Sequence, residues 1–135
     1  MASAIPDLWP ELEQSQVVPP VAILREQAAA LGKKAKHLLE GNVETRTTPS
    51  GKFNHTFYIV APALENYTYE LYSIEQGADQ YPVVAPRLTT NALAGPPQLV
   101  LQTETELLEY VRDVLNSDRT KRIVGSLLAQ VKATT

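Results

Sequence analysis

The chain has 135 residues, 44% of them hydrophobic and 20% charged, which is typical of a globular domain and unlike a disordered chain. The net charge of −3 argues against a general affinity for nucleic acid, because neutralising phosphate needs a positive surface. The chain has no cysteine, which excludes disulfides, zinc–thiolate sites and thiol nucleophiles and fits a reducing compartment, so we expect a cytoplasmic location. No apolar run approaches the roughly 20 residues that span a bilayer, so we expect no membrane partner.

Residues 1–19 are predicted to form a tail that precedes one domain over residues 20–135. Four apolar residues of the tail follow the i, i+3, i+4, i+7 spacing of one helix face: Ile5, Leu8, Trp9 and Leu12. Asp7 is placed to cap that turn, and Pro10 falls in the first turn, where its missing N–H is not needed. The pattern predicts a short amphipathic helix, whose tryptophan must rest either on the protein's own core or on a partner.

The most regular pattern of the sequence begins at Pro19 and Pro20. Apolar residues then recur three and four positions apart without a break: Val21, Leu24, Ala28, Leu31, Ala35 and Leu38. Proline suits the first helical position, and Gly41 suits a left-handed cap after the last turn. This pattern predicts a helix over residues 20–40.

The apolar period then changes to two, which predicts strands joined by proline- and glycine-containing turns. The predicted strands are 42–48, 53–61, 67–74 and 80–88, with a short fifth strand as an option at 98–102, after a loop at 89–97. Pro82 and Pro86 both lack an N–H on the same side of their strand, so strand 80–88 is predicted to lie at an edge of the sheet.

Two helices are predicted after the strands. Thr103 and Glu106 form a capping box, and Ser117 can cap a last helix that extends to about residue 131. This element order predicts a two-layer α+β domain with an N-terminal helix, a four- to five-stranded antiparallel meander and one or two C-terminal helices. We expect the helices to cover one face of the sheet.

The two central strands are apolar on both faces. Phe57 and Ile59 alternate with Tyr58 and Val60, and strand 67–74 shows the same feature, whereas a sheet covered on one side has cleaner alternation. Either the tail and the 89–97 loop cover the second face, or another chain does. The second alternative is a homodimer.

The candidates for chemistry are few. Glu44, Arg46 and His55 are expected on one face of the first hairpin, with His55 opposite Arg46, where they could handle an anion or move a proton. The alternative is cross-strand polar pairing on a solvated face, and a register change of one residue separates the three. No metal or cofactor site is predicted.

The tyrosines are the most unusual feature of the predicted strands. Tyrosine is enriched at interfaces, although the preference of tyrosine for strands explains these positions equally well. Together with Trp9, the candidate binding residues are Tyr58, Tyr67, Tyr69, Tyr72 and Tyr81.

The sequence therefore favours a non-catalytic protein-interaction module of the adaptor, chaperone-like or immunity/antitoxin type, self-associating or bound to another protein. A small-ligand or enzyme domain using Glu44, Arg46 and His55 is the alternative. Weak nucleic-acid binding is a second alternative, through basic residues near the ends of two helices: Lys33, Lys34, Lys36, Arg119 and Arg122.

Overall fold

The computed structural model describes residues 4–88 and 97–134, which form three α-helices and a five-stranded antiparallel sheet. The helices are α1 (Pro20–Lys34), α2 (Glu104–Leu115) and α3 (Asp118–Thr134). The strands are β1 (Glu40–Thr47), β2 (Phe53–Ala61), β3 (Tyr67–Gln76), β4 (Val83–Pro86) and β5 (Gln98–Leu101). Since the strands lie in the order β1-β2-β3-β4-β5, the predicted α+β meander is confirmed.

Helix α1 begins at Pro20 as predicted, but it ends at Lys34 rather than at residue 40. Lys36 and His37 adopt left-handed conformations, with φ of 52° and 63°, and these turn the chain into β1. Gly41 is therefore not a helix cap, and that prediction is wrong. It lies in β1, where an added Cβ would come within 2.5 Å of the Ala28 Cα of α1, so glycine permits the helix to pack directly on the strand.

The proline- and glycine-containing turn predicted between the first two strands forms at residues 48–51. The Gly51 N–H donates to the Thr48 carbonyl over 2.9 Å, and Gly51 takes the positive φ of 81° that favours glycine. Residues 53–61 are the whole of β2.

A β-bulge in β3 changes which side chains face the helices. Phe57 pairs with Tyr72 and Tyr58 with Glu70, so Leu71 is the extra residue. Leu71 and Tyr72 are both buried, and Leu71 contributes to the same cleft as Phe57. Leu71 and Tyr72 therefore do not lie on opposite faces of the strand, because the bulge changes the phase of the alternation between them. For these two residues the prediction of a second apolar face on strand 67–74 is wrong.

Strand β4 is not at an edge of the sheet, and that prediction is wrong. Val83 and Val84 of β4 pair with β5 on one side and β3 on the other, so the edges are β1 and β5. The strand is also shorter than predicted: Pro82 precedes it and Pro86 is its last residue, so neither proline removes a donor from its middle. The predicted fifth strand is confirmed as β5.

The C-terminal helices begin where their caps predict. Thr103 Oγ1 accepts from the Glu106 N–H over 3.2 Å, and the Glu106 carboxylate accepts from the Gln102 N–H over 3.0 Å. Ser117 Oγ accepts from the Thr120 N–H over 3.2 Å at the start of α3.

The helices cover one face of the sheet, and the core lies between these two layers. It centres on Leu24 of α1, Phe57 and Ile59 of β2, Leu107 of α2 and Val131 of α3, each at most 1% exposed. On the opposite face, the register of β1, β2 and β3 places mostly polar side chains, with Tyr58 and Val60 half-buried among them: Asn42, Glu44, Arg46, Asn54, Thr56, Thr68 and Glu70. Residues 89–96, most of the loop that was expected to help cover this face, lie outside the described part of the chain.

Candidate functional site

His55 lies on the helix-facing side of β2, is 4% exposed and has partners for both ring nitrogens. Nε2 lies 3.0 Å from Gln76 Oε1, and Nδ1 lies 2.8 Å from Thr45 Oγ1. Gln76 Nε2 in turn donates to the Gly77 carbonyl over 3.1 Å. Because an amide oxygen only accepts, Nε2 carries the proton and Nδ1 accepts from Thr45.

Burial lowers the pKa of His55 from 6.5, and the positive charge of Arg25 acts in the same direction, while the hydrogen bond with Gln76 opposes them. The neutral ring is therefore the stable form. With both nitrogens in hydrogen bonds, His55 has the environment of a structural histidine rather than that of an exposed proton carrier.

Glu44 and Arg46 lie on the other face of the sheet, so they do not converge with His55. The register pairs Thr45 with His55, whereas the predicted pairing placed Arg46 opposite His55. This difference of one residue moves both charged side chains to the far face. They are substantially exposed, and the Arg46 guanidinium lies 3.7 Å from the Glu44 carboxylate. The predicted arrangement of the three is therefore wrong, and the enzyme alternative that depended on it has no geometry to support it.

The candidate tyrosines are divided between different parts of the fold. Tyr58 lies on the open face, while Tyr67, Tyr69 and Tyr72 lie on the helix-facing side, and Tyr81 precedes β4. The five therefore do not share one face of the sheet, although Tyr67 and Tyr69 line one cavity.

Two of these tyrosines serve packing. Tyr72 is buried and stacks on Phe57 at 5.5 Å between ring centroids, with Tyr110 edge-on at 6.4 Å. Tyr69 accepts a hydrogen bond of 2.7 Å from Arg119, whose guanidinium carbon lies 5.7 Å from the centre of the tyrosine ring. These contacts tie β3 to β2 and to the helices.

The N-terminal segment, residues 4–19, is described throughout, and none of these residues is helical. The predicted short helix is therefore absent from the single chain. Four side chains with helical spacing, which we call the anchor residues, are 77–84% exposed: Ile5, Leu8, Trp9 and Leu12. The Trp9 N–H donates to the Asp7 carboxylate over 3.0 Å, which is the bond that a helix N-cap makes to the second helical residue.

An open cleft of about 540 Å³ lies between α1 and α3, with the sheet as its floor. We call it the α1–α3 cleft. Its floor and walls are mostly apolar, from Ala30, Leu31, Ala35, Phe57, Ile59, Leu71, Leu115, Val124 and Leu128. Lys34 and Lys121 are the charged residues of its lining, and Gly125 contributes no side chain to it. The volume falls within the roughly 300–1,000 Å³ typical of ligand pockets.

Sequence reasoning missed this cleft, although two signals for it were present. Gly125 lies in the interior of α3, where glycine costs about 1 kcal/mol relative to alanine. A Cβ at this position would meet no heavy atom of the described residues within 4 Å, so the glycine leaves open space. Basic residues also occur near the end of α1 and the start of α3, and the fold brings Lys34 and Lys121 to one cleft.

The basic residues proposed for nucleic acid do not all line that cleft. Arg119 contacts Tyr69, which lines a different, smaller cavity with Ile123 and Leu127. Within the described residues, no group of three or more histidine, aspartate or glutamate side chains is placed to hold a metal ion. No helix of that part of the chain is long and apolar enough to cross a membrane.

Comparison with known proteins gives no relative for this chain: no family model, no curated protein and no solved structure matches it significantly.

Proposed function

We propose that this protein is a non-catalytic protein-interaction module whose binding element is the N-terminal segment. The observation that supports this proposal is the exposure of the anchor residues, with Leu8 84%, Trp9 77% and Leu12 80% exposed. Burying one large apolar side chain is worth about 1.5–3 kcal/mol. Several such side chains at the spacing of one helix face are what a helix-in-groove interaction requires of the bound peptide.

Trp9 is the centre of the proposed interaction. Tryptophan is among the residues that dominate binding energy at interfaces, and it does so when a pocket removes it from water. Trp9 lies between Leu8 and Leu12 in the anchor pattern, so one pocket can receive all three side chains.

The proposal is tested by affinity capture from cells of the native host, with the full chain as bait. The matched baits are the double variant Trp9→Ala/Leu12→Ala and a control, Gln14→Ala/Gln16→Ala, in the same segment. We expect the wild-type and control baits to retain proteins, among them copies of this chain, that the anchor variant does not retain. If the anchor variant retains the same proteins as the wild type, the segment is not the binding element.

A second candidate function, binding of a small apolar anion, is favoured by the α1–α3 cleft. Its apolar lining and its two lysines suit a ligand with an apolar body and one negative group. The anionic dye anilinonaphthalene sulfonate is a direct probe. At a protein concentration low enough to keep the chain monomeric, we expect its fluorescence to rise with the wild type and not with Gly125→Phe, which fills the cleft. An equal rise with both proteins contradicts this function.

A cytoplasmic location is part of the proposal, in keeping with a chain that has no cysteine. Fractionation of host cells with an antibody to the chain tests it. Recovery in a compartment other than the cytoplasm contradicts it.

A further inference from the structure

We infer that the N-terminal segment of one copy of this chain folds into an amphipathic helix in the α1–α3 cleft of a second copy. This inference rests on the proposed function and names the partner of its binding element. Each copy has one segment and one cleft, so a reciprocal exchange gives a closed, two-fold symmetric dimer.

Apolar character is the first match between segment and cleft. The segment presents Leu8, Trp9 and Leu12 along one helix face. The cleft presents half-buried apolar side chains, among them Leu31 and Leu128, above a floor of buried core residues. Both surfaces leave apolar area in contact with water while they are apart. Docking removes that area from water, which drives association.

Charge is the second match. The segment carries Asp7, Glu11 and Glu13 and no lysine or arginine. The helices that wall the cleft are basic, since α1 has three basic residues and one acidic residue and α3 has four and one. Lys34 and Lys121 line the cleft itself, in a chain whose net charge is −3. An acidic helix is therefore attracted to this cleft more than to the rest of the surface.

The local structure of the segment is prepared for helix formation. The bond from the Trp9 N–H to Asp7 is already that of an N-cap, which satisfies one of the donors that a first helical turn leaves free. Pro10 would be the third helical residue, where no N–H is needed for the helix ladder. Pro10 also disfavours the helical conformation of Trp9, a cost that docking must offset. A segment of this length is not stable as a helix alone, so helix formation and docking occur together.

The junction with α1 favours a second copy over the segment's own domain. Val18 and Pro19 each precede a proline, which restricts both to extended conformations, and Pro19 has a ψ of 141°. In the single chain the anchor residues are 77–84% exposed, so the segment does not occupy its own cleft.

Gly125 offers a way to close the cleft without disturbing the fold. Because a Cβ there meets no heavy atom of the described residues within 4 Å, Gly125→Phe adds a side chain to open space. Ala29→Phe is the matched control, since Ala29 is exposed on α1 and lies outside the cleft lining. Both variants add the same aromatic side chain to an exposed helix position.

The test measures mass by light scattering and Trp9 emission, each over a range of concentrations. We expect the wild type and Ala29→Phe to pass from monomer to dimer as concentration rises, with a blue shift of Trp9 emission. Gly125→Phe should stay monomeric with red-shifted emission. Lys34→Glu/Lys121→Glu should weaken the dimer roughly tenfold, the size expected for reversal of two partly solvated charge contacts.

A mixing experiment establishes that the exchange is between copies. Gly125→Phe has an intact segment, and Trp9→Ala/Leu12→Ala has an intact cleft, so each alone should be monomeric while the mixture forms a heterodimer. If the wild type stays monomeric with Trp9 exposed, the inference is overturned. The proposed function is then still tested separately by the capture experiment. Concentration-independent blue-shifted emission from a monomer shows docking in the chain's own cleft and overturns it, as does a dimer that persists in Gly125→Phe.

Discussion

The N-terminal segment and helix α1 have the same apolar spacing, yet the fold treats them in opposite ways. Leu24 of α1 is fully buried against the sheet, whereas Leu8 and Leu12 are at least 80% exposed. The two regions differ in whether the domain offers a surface on which their apolar side chains can pack. Helix α1 has such a surface, because β1 and β2 lie under it. Apolar periodicity therefore identifies residues that need a partner, and it does not say whether the partner belongs to the same domain.

The largest expected difference between the two regions is in stability. Leu24→Ala should lower the free energy of unfolding by about 2–5 kcal/mol, because it leaves a cavity in the core. Leu12→Ala should change it by no more than about 0.5 kcal/mol in the monomer, as for other exposed sites. Denaturant titration at a protein concentration low enough to keep the chain monomeric measures both, and a comparable loss for Leu12→Ala would show that the segment packs on its own domain.

A second contrast concerns the close packing of α1, which the segment lacks. Gly41→Ala places a Cβ against the backbone of Ala28 and should cost about 1–3 kcal/mol of unfolding free energy. Gly125→Ala, in the open cleft wall, should instead stabilise by about 1 kcal/mol, because alanine is the better helix former. Thermal unfolding of the two variants tests this, and equal effects would mean that α1 does not lie directly on β1.

Helix caps give a third, smaller contrast. Thr103→Ala removes the cap of α2 and should cost about 1 kcal/mol of domain stability. Asp7→Ala removes the matching bond in the segment, and we expect it to leave the unfolding midpoint of the monomer unchanged while weakening the dimer. If Asp7→Ala lowers the midpoint as much as Thr103→Ala does, the segment is already part of the folded domain.

The smallest effect expected is the pH dependence that arises from His55. Burial lowers its folded-state pKa below 6.5, so the unfolded chain takes up a proton first as the pH falls. The stabilisation by neutral His55 is thus present above pH 6.5 and is lost as the pH falls through the folded-state pKa. The comparison is the unfolding free energy against pH for the wild type and for His55→Gln.

We expect His55→Gln to flatten this part of the curve. Identical curves for the wild type and His55→Gln would show that His55 is not held neutral. The N-terminal segment, which has no histidine, contributes nothing to this difference.

Much of the fold was predictable because its signals are local. The start of α1 at Pro20, the turn ending at Gly51 and the caps Thr103 and Ser117 each depend on a few neighbouring residues. The candidate site was less predictable. The sequence singled out Trp9 and its helical spacing, but not the cleft, whose residues come from α1, β2, β3, α2 and α3.

The errors in the sheet have a common origin in pairing between strands. The register of β1 with β2 differs by one residue from the prediction, which separates Glu44 and Arg46 from His55. The bulge at Leu71 depends on how β3 pairs with β2. The interior position of β4 in the sheet depends on its pairing with β5. Each of these is decided by contacts between distant residues, so no local pattern records it.

The sequence by itself determined the element order, the α+β class and the presence of an apolar, acidic segment before α1. These follow from local conformational preferences and from apolar periodicity. Only the tertiary structure decided that His55 is enclosed, that the tyrosines are divided between faces, and that Lys34 and Lys121 meet at one apolar cleft. The physical reason is that burial and convergence are properties of surfaces, and packing brings those surfaces together from separate parts of the chain.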